Sequence, residues 1–139
     1  MPADVTTDPI VKELRIAASP ETVFAFFTEP ELLTRWLAVE ADLDPRPGGR
    51  CWQTHVDDGV RYRMRGEFVE VERPTRVVFT WGFEGSTIGN LPGSSTVEVT
   101  LRPDGDGTHL TLVHRDLTVA RDDHDRGWDE MLGRLAAAV

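Results

Sequence analysis

Thr96-Val-Glu-Val-Thr-Leu-Arg102, Pro103-Asp-Gly-Asp-Gly107 and Thr108-His-Leu-Thr-Leu-Val-His114 are the consecutive segments that decide the fold. Val97, Val99 and Leu101 alternate with polar residues, and so do Leu110, Leu112 and His114. Each run therefore has one face for a core, at the two-residue period of a strand. The Asp-Gly-rich segment between them is a tight turn, which makes the pair a hairpin. Downstream, Trp128, Met131, Leu132, Leu135 and Val139 form one stripe of a terminal helix, read as opening at Gly127-Trp128. That stripe has to be buried, and a curved sheet is the partner the chain offers.

Working back toward the N-terminus, residues 1–8 read as a flexible tail and 9–139 as one domain. Ile10, Leu14 and Ile16 share a face of a first strand, opposite Glu13 and Arg15. Ser19-Pro20-Glu21 is a helix start: an N-cap, a proline at the first helical position and an acid near the positive helix end. A second helix begins at Pro30-Glu31 and carries Leu32, Leu33, Trp36 and Leu37. Strands follow at 39–43, 50–56, 61–72 and 77–81, with an Asp-Gly hairpin turn at Asp57-Asp-Gly59. Residues 82–95, rich in Gly and Ser, read as a flexible lid. The order of strand, two short helices, antiparallel strands and long helix defines an α+β fold, a curved sheet gripping its C-terminal helix.

Composition excludes several roles. The chain has 139 residues, enough for one buried core, and a net charge of −9, which repels nucleic acid and anionic membranes. Cys51 is the only cysteine, so no internal disulfide forms and a reducing, cytoplasmic setting is expected. The N-terminus lacks the pattern of a signal peptide, and no apolar run spans a bilayer. Lys12 is the only lysine and lies in the first strand, which argues against Schiff-base chemistry in a pocket.

Several segments resemble a known family: Ser19-Pro-Glu-Thr-Val-Phe-Ala-Phe-Phe-Thr28, Leu33-Thr-Arg-Trp36, Pro47-Gly-Gly-Arg50, Gly66-Glu-Phe-Val-Glu-Val-Glu-Arg-Pro74, Val77-Val-Phe-Thr-Trp81, Gly107 to His114, and Gly127-Trp128 with Met131, Leu132 and Leu135. In order and spacing they are similar to the homologues of the C-terminal domain of the heat-shock-protein-90 ATPase activator, within the START-like SRPBCC superfamily. The resemblance covers Ile10 to Val139. It implies a helix-grip fold with a pocket between sheet and helix that often holds an apolar or amphipathic small molecule. Arg115-Asp-Leu117 departs from the family at a turn where glycine is common. Cys51, Gln53 and His55 stand at positions often held by bulky apolar groups, which implies a partly polar pocket.

No catalytic motif accompanies this frame. His55, His109, His114 and His124 show no metal-ligand spacing, and no cofactor is expected. His109 and His124 read as surface residues, His55 and His114 as hydrogen-bonded pocket or core residues. Cys51 and His55 share a face of one strand but lie roughly 13 Å apart at ~3.3 Å per residue, too far for a thiolate–imidazole pair. The expected ligand-binding residues are Trp36, His55, Met64, Trp81, His114, Trp128 and Leu132, for a small hydrophobic or aromatic molecule. Two alternatives stand beside binding: a cyclase- or hydrolase-type enzyme using His55 or His114 as acid–base group, and a co-chaperone activating a heat-shock ATPase. Arg61, Arg63 and Arg65 read as a solvated face. If Cys51, Gln53 and His55 line the pocket, Trp52 points outward and could anchor a homodimer.

Overall fold

The computed structural model describes residues 8–139. Of the expected tail, residues 1–7 lie outside the described residues. The Asp8 and Pro9 carbonyls accept hydrogen bonds from the Arg121 guanidinium at 3.1 and 3.2 Å, which fastens residues 8 and 9 to the C-terminal helix.

Seven antiparallel strands make one sheet: β1 (Ile10–Ile16), β2 (Glu40–Leu43), β3 (Arg50–Asp57), β4 (Val60–Glu72), β5 (Arg76–Trp81), β6 (Ser95–Asp104) and β7 (Gly107–Arg115), in the spatial order β1-β7-β6-β5-β4-β3-β2. β6 and β7 pair in the register that the alternating valines and leucines require, with Val99 opposite Leu112 and Leu101 opposite Leu110. Asp58 and Gly59, both with positive φ, make the two-residue turn between β3 and β4. β4 changes register between Phe68 and Glu70, a bulge that bends the strand.

Two helices connect β1 to β2, and one follows β7. α1 (Pro20–Thr28) is capped by Ser19, whose hydroxyl accepts from the Thr22 amide. It buries Val23, Phe24, Phe26 and Phe27. α2 is a single turn, Pro30–Leu33, shorter than the sequence spacing suggests. The chain continues through hydrogen-bonded turns, Arg35 N to Leu32 O and Leu37 N to Leu33 O. Trp36 is held there by its own bond, Nε1 to the Phe26 carbonyl at 2.9 Å.

α3 runs Arg121–Ala138 and buries Trp128, Leu132 and Leu135 against the concave sheet. It does not open at Gly127-Trp128 but six residues earlier. Asp122 and Asp123 occupy the first turn, where acids suit the helix dipole, and the His124 amide donates to the Ala120 carbonyl. Gly127 is thus a helix-interior glycine, a position that costs about 1 kcal/mol relative to alanine and hides the helix start from a reading of the sequence. Lys12 reaches from β1 to Asp125 and Asp129 at 2.7 and 2.9 Å, clamping the helix to the edge of the sheet.

Candidate functional site

The candidate site lies where the first half of α3 passes the hairpin end of β3 and β4. Two adjoining clefts open there. One, of about 610 Å³, runs between the 34–39 segment, the end of β3 and α3; Trp36, Leu37 and Ala38 line it together with Arg35, Arg126, Glu130 and Arg134. The other, of about 530 Å³, runs between α3 and the 83–90 segment, and Tyr62, Trp81, Phe83, Ile88 and Met131 give it an apolar wall. His55, Asp57, Asp123, Gly127 and Met131 line both. A Cβ on Gly127 would meet only the Met131 Cε, at 3.7 Å, so the missing side chain keeps the shared wall thin.

The 82–94 segment is more ordered in its bonding than a bare lid. Gly82 and Glu84 extend the sheet along β4, through Arg65 N to Gly82 O and Glu84 N to Arg63 O. The Phe83 amide donates to Asn90 O at 2.7 Å, and Asn90 is buried. Gly82 permits this fold-back: a Cβ there would lie 1.9 Å from the Leu91 carbonyl oxygen.

Behind the clefts sits an aromatic cluster centred on Trp81. Its ring lies 5.4 Å from His55, 5.6 Å from His114, 5.4 Å from Trp128 and 5.7 Å from Phe83. The hydrogen bonds fix the protonation of two histidines. Trp128 Nε1 donates to His114 Nδ1 at 3.0 Å, so His114 carries its proton on Nε2 and donates to Ser95 Oγ at 2.8 Å. Trp81 Nε1 donates to His124 Nε2 at 3.2 Å, so His124 carries its proton on Nδ1 and donates to the Ala120 carbonyl. An indole can only donate, so each ring must be neutral to keep its bond. Burial, with His124 nearby, drives the His114 pKa down to about 3. Burial also lowers His124, against the upward pull of the Ala120 carbonyl and Asp123.

His55 differs. It ends a chain of inward side chains on β3: Gln53 donates from Nε2 to Cys51 Sγ at 3.6 Å, and Gln53 Oε1 meets His55 Nε2 at 2.9 Å. A carbonyl oxygen only accepts, so Nε2 holds the His55 proton and Nδ1 is left as a lone pair. Burial and the neighbouring His124 lower His55 to about 4. Burial also pushes the Cys51 thiol up to about 12, against the Gln53 hydrogen bond, so it is held as a thiol and is not a nucleophile at neutral pH.

The seven residues expected to bind a ligand therefore separate. Trp36, His55 and Trp81 line the clefts. Met64, His114, Trp128 and Leu132 are buried and line neither. They fill the deep space between sheet and helix where a cavity was expected, because Trp128 occupies it and is anchored by His114. His114 has both nitrogens engaged, which removes it as an acid–base group. His124, expected on the surface, is half-buried in the cleft wall. The later-than-actual helix start concealed it: in the true first turn, residue 124 lies one turn before Trp128 on the same face. Phe83, Tyr62 and Met131 were missed as cleft residues, since only the long-range pairing of Met64 with Phe83 brings the loop over β4.

On the opposite face, Trp52 points outward, 39% exposed, with the Arg65 guanidinium 4.8 Å from its ring centre. Arg61 pairs with Glu40, and Arg63 and Arg65 with Glu84. His109 pairs with Glu13 on the sheet surface. Among the described residues no group of three or more His, Cys, Asp or Glu side chains gathers as a metal-ligand set, and no helix is long and apolar enough to cross a membrane.

Sheet order, helix placement and concave burial define the helix-grip, START-like class. The chain belongs to the family of activator of Hsp90 ATPase homolog 1-like proteins, whose model matches residues 17–139. Solved structures agree over nearly the whole chain. Protein CV1439 from Chromobacterium violaceum is 26% identical, with a TM-score of 0.83 over 95% of this chain and 96% of that one. Protein MLL2253 from Mesorhizobium loti is 27% identical, with a TM-score of 0.79 over 94% and 95%. CalU16 from Micromonospora echinospora is 28% identical, with a TM-score of 0.71 over 93% of this chain and 74% of that one. No curated protein matches the sequence.

Proposed function

We propose that this protein binds a small amphipathic molecule in the paired clefts beside α3. One observation carries the reading. An apolar, aromatic-walled cleft of about 530 Å³ adjoins a charged one of about 610 Å³, and the same residues of β3 and α3 line both. Each volume falls in the usual range for small-molecule sites, roughly 300–1,000 Å³. A ligand lying across the shared wall would place its apolar part against Phe83, Ile88 and Met131. Its polar part would face Arg35, Arg126 and Arg134. The family's general association of this fold with ligand binding points the same way.

The reading is tested with 8-anilinonaphthalene-1-sulfonate, an aromatic anion of fitting size. Saturable binding to the folded protein is expected, and Met131→Arg, which places a long charged side chain in the shared wall, should abolish it while circular dichroism shows the variant still folded. Absence of saturable binding, or full binding to the Met131→Arg variant, contradicts the proposal.

A further inference from the structure

Resting on that reading, we infer that His55 selects ligands carrying a hydrogen-bond donor, a hydroxyl or an N–H placed beside an aromatic or alicyclic body. A neutral imidazole has one donor and one acceptor. The donor, Nε2–H, is committed to Gln53 Oε1. Nδ1 meets no hydrogen-bonding group of the described residues. No buried side-chain nitrogen or oxygen among them is left without a partner, so Nδ1 is not sealed away from solvent, and His55 lines both clefts. The open valence is thus an acceptor, and its complement on a ligand is a donor.

The ring is also held in place. It stands edge-on to Trp81 at 5.4 Å and to Phe83 at 5.8 Å, while Gln53 fixes its rotation. An acceptor held this way loses little freedom when a ligand binds. The apolar wall beside it raises the cost of leaving a ligand's polar group unpaired, which sharpens discrimination between a hydroxyl and a methyl of similar size. His114 and His124 cannot serve in the same way, because their nitrogens are already bonded to Trp128, Ser95, Trp81 and Ala120. A conjugate acid near pH 4 also makes His55 a weak base at neutral pH, which favours recognition over proton abstraction.

The test compares 2-naphthol with 2-methylnaphthalene, which share a ring system and differ in the donor. Dissociation constants are measured for the wild type and for His55→Phe at pH 7. The preference for 2-naphthol over 2-methylnaphthalene should fall about fivefold in the variant, the size of one net hydrogen bond. In the wild type, nitrogen-15 spectra of the imidazole should show an Nε2–H tautomer whose Nδ1 resonance moves on addition of 2-naphthol and stays still with 2-methylnaphthalene. This second readout stands even if the variant folds poorly. Equal preference in both proteins, or an unmoved Nδ1 in a 2-naphthol complex, overturns the inference and leaves cleft binding intact. Failure of both probes to bind the wild type overturns cleft binding itself and the inference with it.

Discussion

Trp81 Nε1 donates to His124 Nε2 at 3.2 Å, and this single bond ties the last residue of β5 to the first turn of α3. The same imidazole donates from Nδ1 to the carbonyl of Ala120, which sits in the left-handed region at φ 54° without a side-chain cap on the helix. His124 therefore fastens the first turn of α3 to β5, beside both clefts, without capping the helix's free amides.

Replacing that imidazole should loosen the helix start without unfolding the protein. His124→Ala should cost about 1–2 kcal/mol, the loss of hydrogen bonding plus an indole N–H left unpaired. Urea denaturation followed by tryptophan fluorescence checks it. A variant as stable as the parent would remove His124 from this role.

Acid should destabilise the fold through histidine. The folded-state values for His55 and His114, about 4 and about 3, lie below the ordinary value near 6.5. Below pH 6.5 the unfolded chain takes up protons that the folded chain refuses. Stability from these groups is therefore complete above pH 6.5 and falls as pH drops from there toward 3–4, by about 1.4 kcal/mol per pH unit for each histidine. His114→Gln should flatten the slope between pH 6.5 and 4.5 by roughly one proton. An identical slope in wild type and variant, measured by urea titrations across that range, contradicts the neutral assignment of His114.

Trp128 fills the space at the centre of the grip. Trp128→Ala should cost ~3–5 kcal/mol as a large-to-small core change. Trp128→Phe keeps most of the apolar contact but strips the donor from His114 Nδ1, and should cost ~1–3 kcal/mol. Equilibrium denaturation separates the two. A Trp128→Phe variant as stable as the parent would mean that the hydrogen bond to His114 contributes nothing, and equal losses in the two variants would mean that the ring's packing adds nothing beyond that bond.

The frame of this protein was legible because its strands alternate cleanly. Val97, Val99 and Leu101 face the core as their period demands, and the outward Trp52 follows from the inward Cys51, Gln53 and His55. The clefts were only half legible. Of the residues expected to bind a ligand, Trp36, His55 and Trp81 line them. Their neighbours could not be read from the sequence, because Phe83 reaches the clefts through a loop whose pairing with Met64 is non-local. His124 was hidden by Gly127, which reads as a helix boundary and is a helix interior. The deep cavity was overestimated for a related reason: apolar residues at a sheet–helix junction line a pocket or fill it, and periodicity does not distinguish these. The Trp128–His114 bond decides for filling.

Gly82 keeps the cleft-forming segment folded back on itself. Gly82→Ala brings a methyl against the Leu91 carbonyl and should cost ~1–3 kcal/mol, in the range of overpacking changes. It should also weaken 8-anilinonaphthalene-1-sulfonate binding, since Phe83 and Ile88 move with the segment. Unchanged binding and melting would show that this close approach is easily relieved.

Ligand binding in the paired clefts is tested most directly by an amide proton–nitrogen NMR titration of the labelled protein with 2-naphthol. Saturable shifts are expected to concentrate at His55, Tyr62, Trp81, Phe83, Ile88, Gly127 and Met131, with the outer face around Trp52 unmoved. Shifts centred on Trp52, or none up to the solubility limit of the probe, would contradict cleft binding.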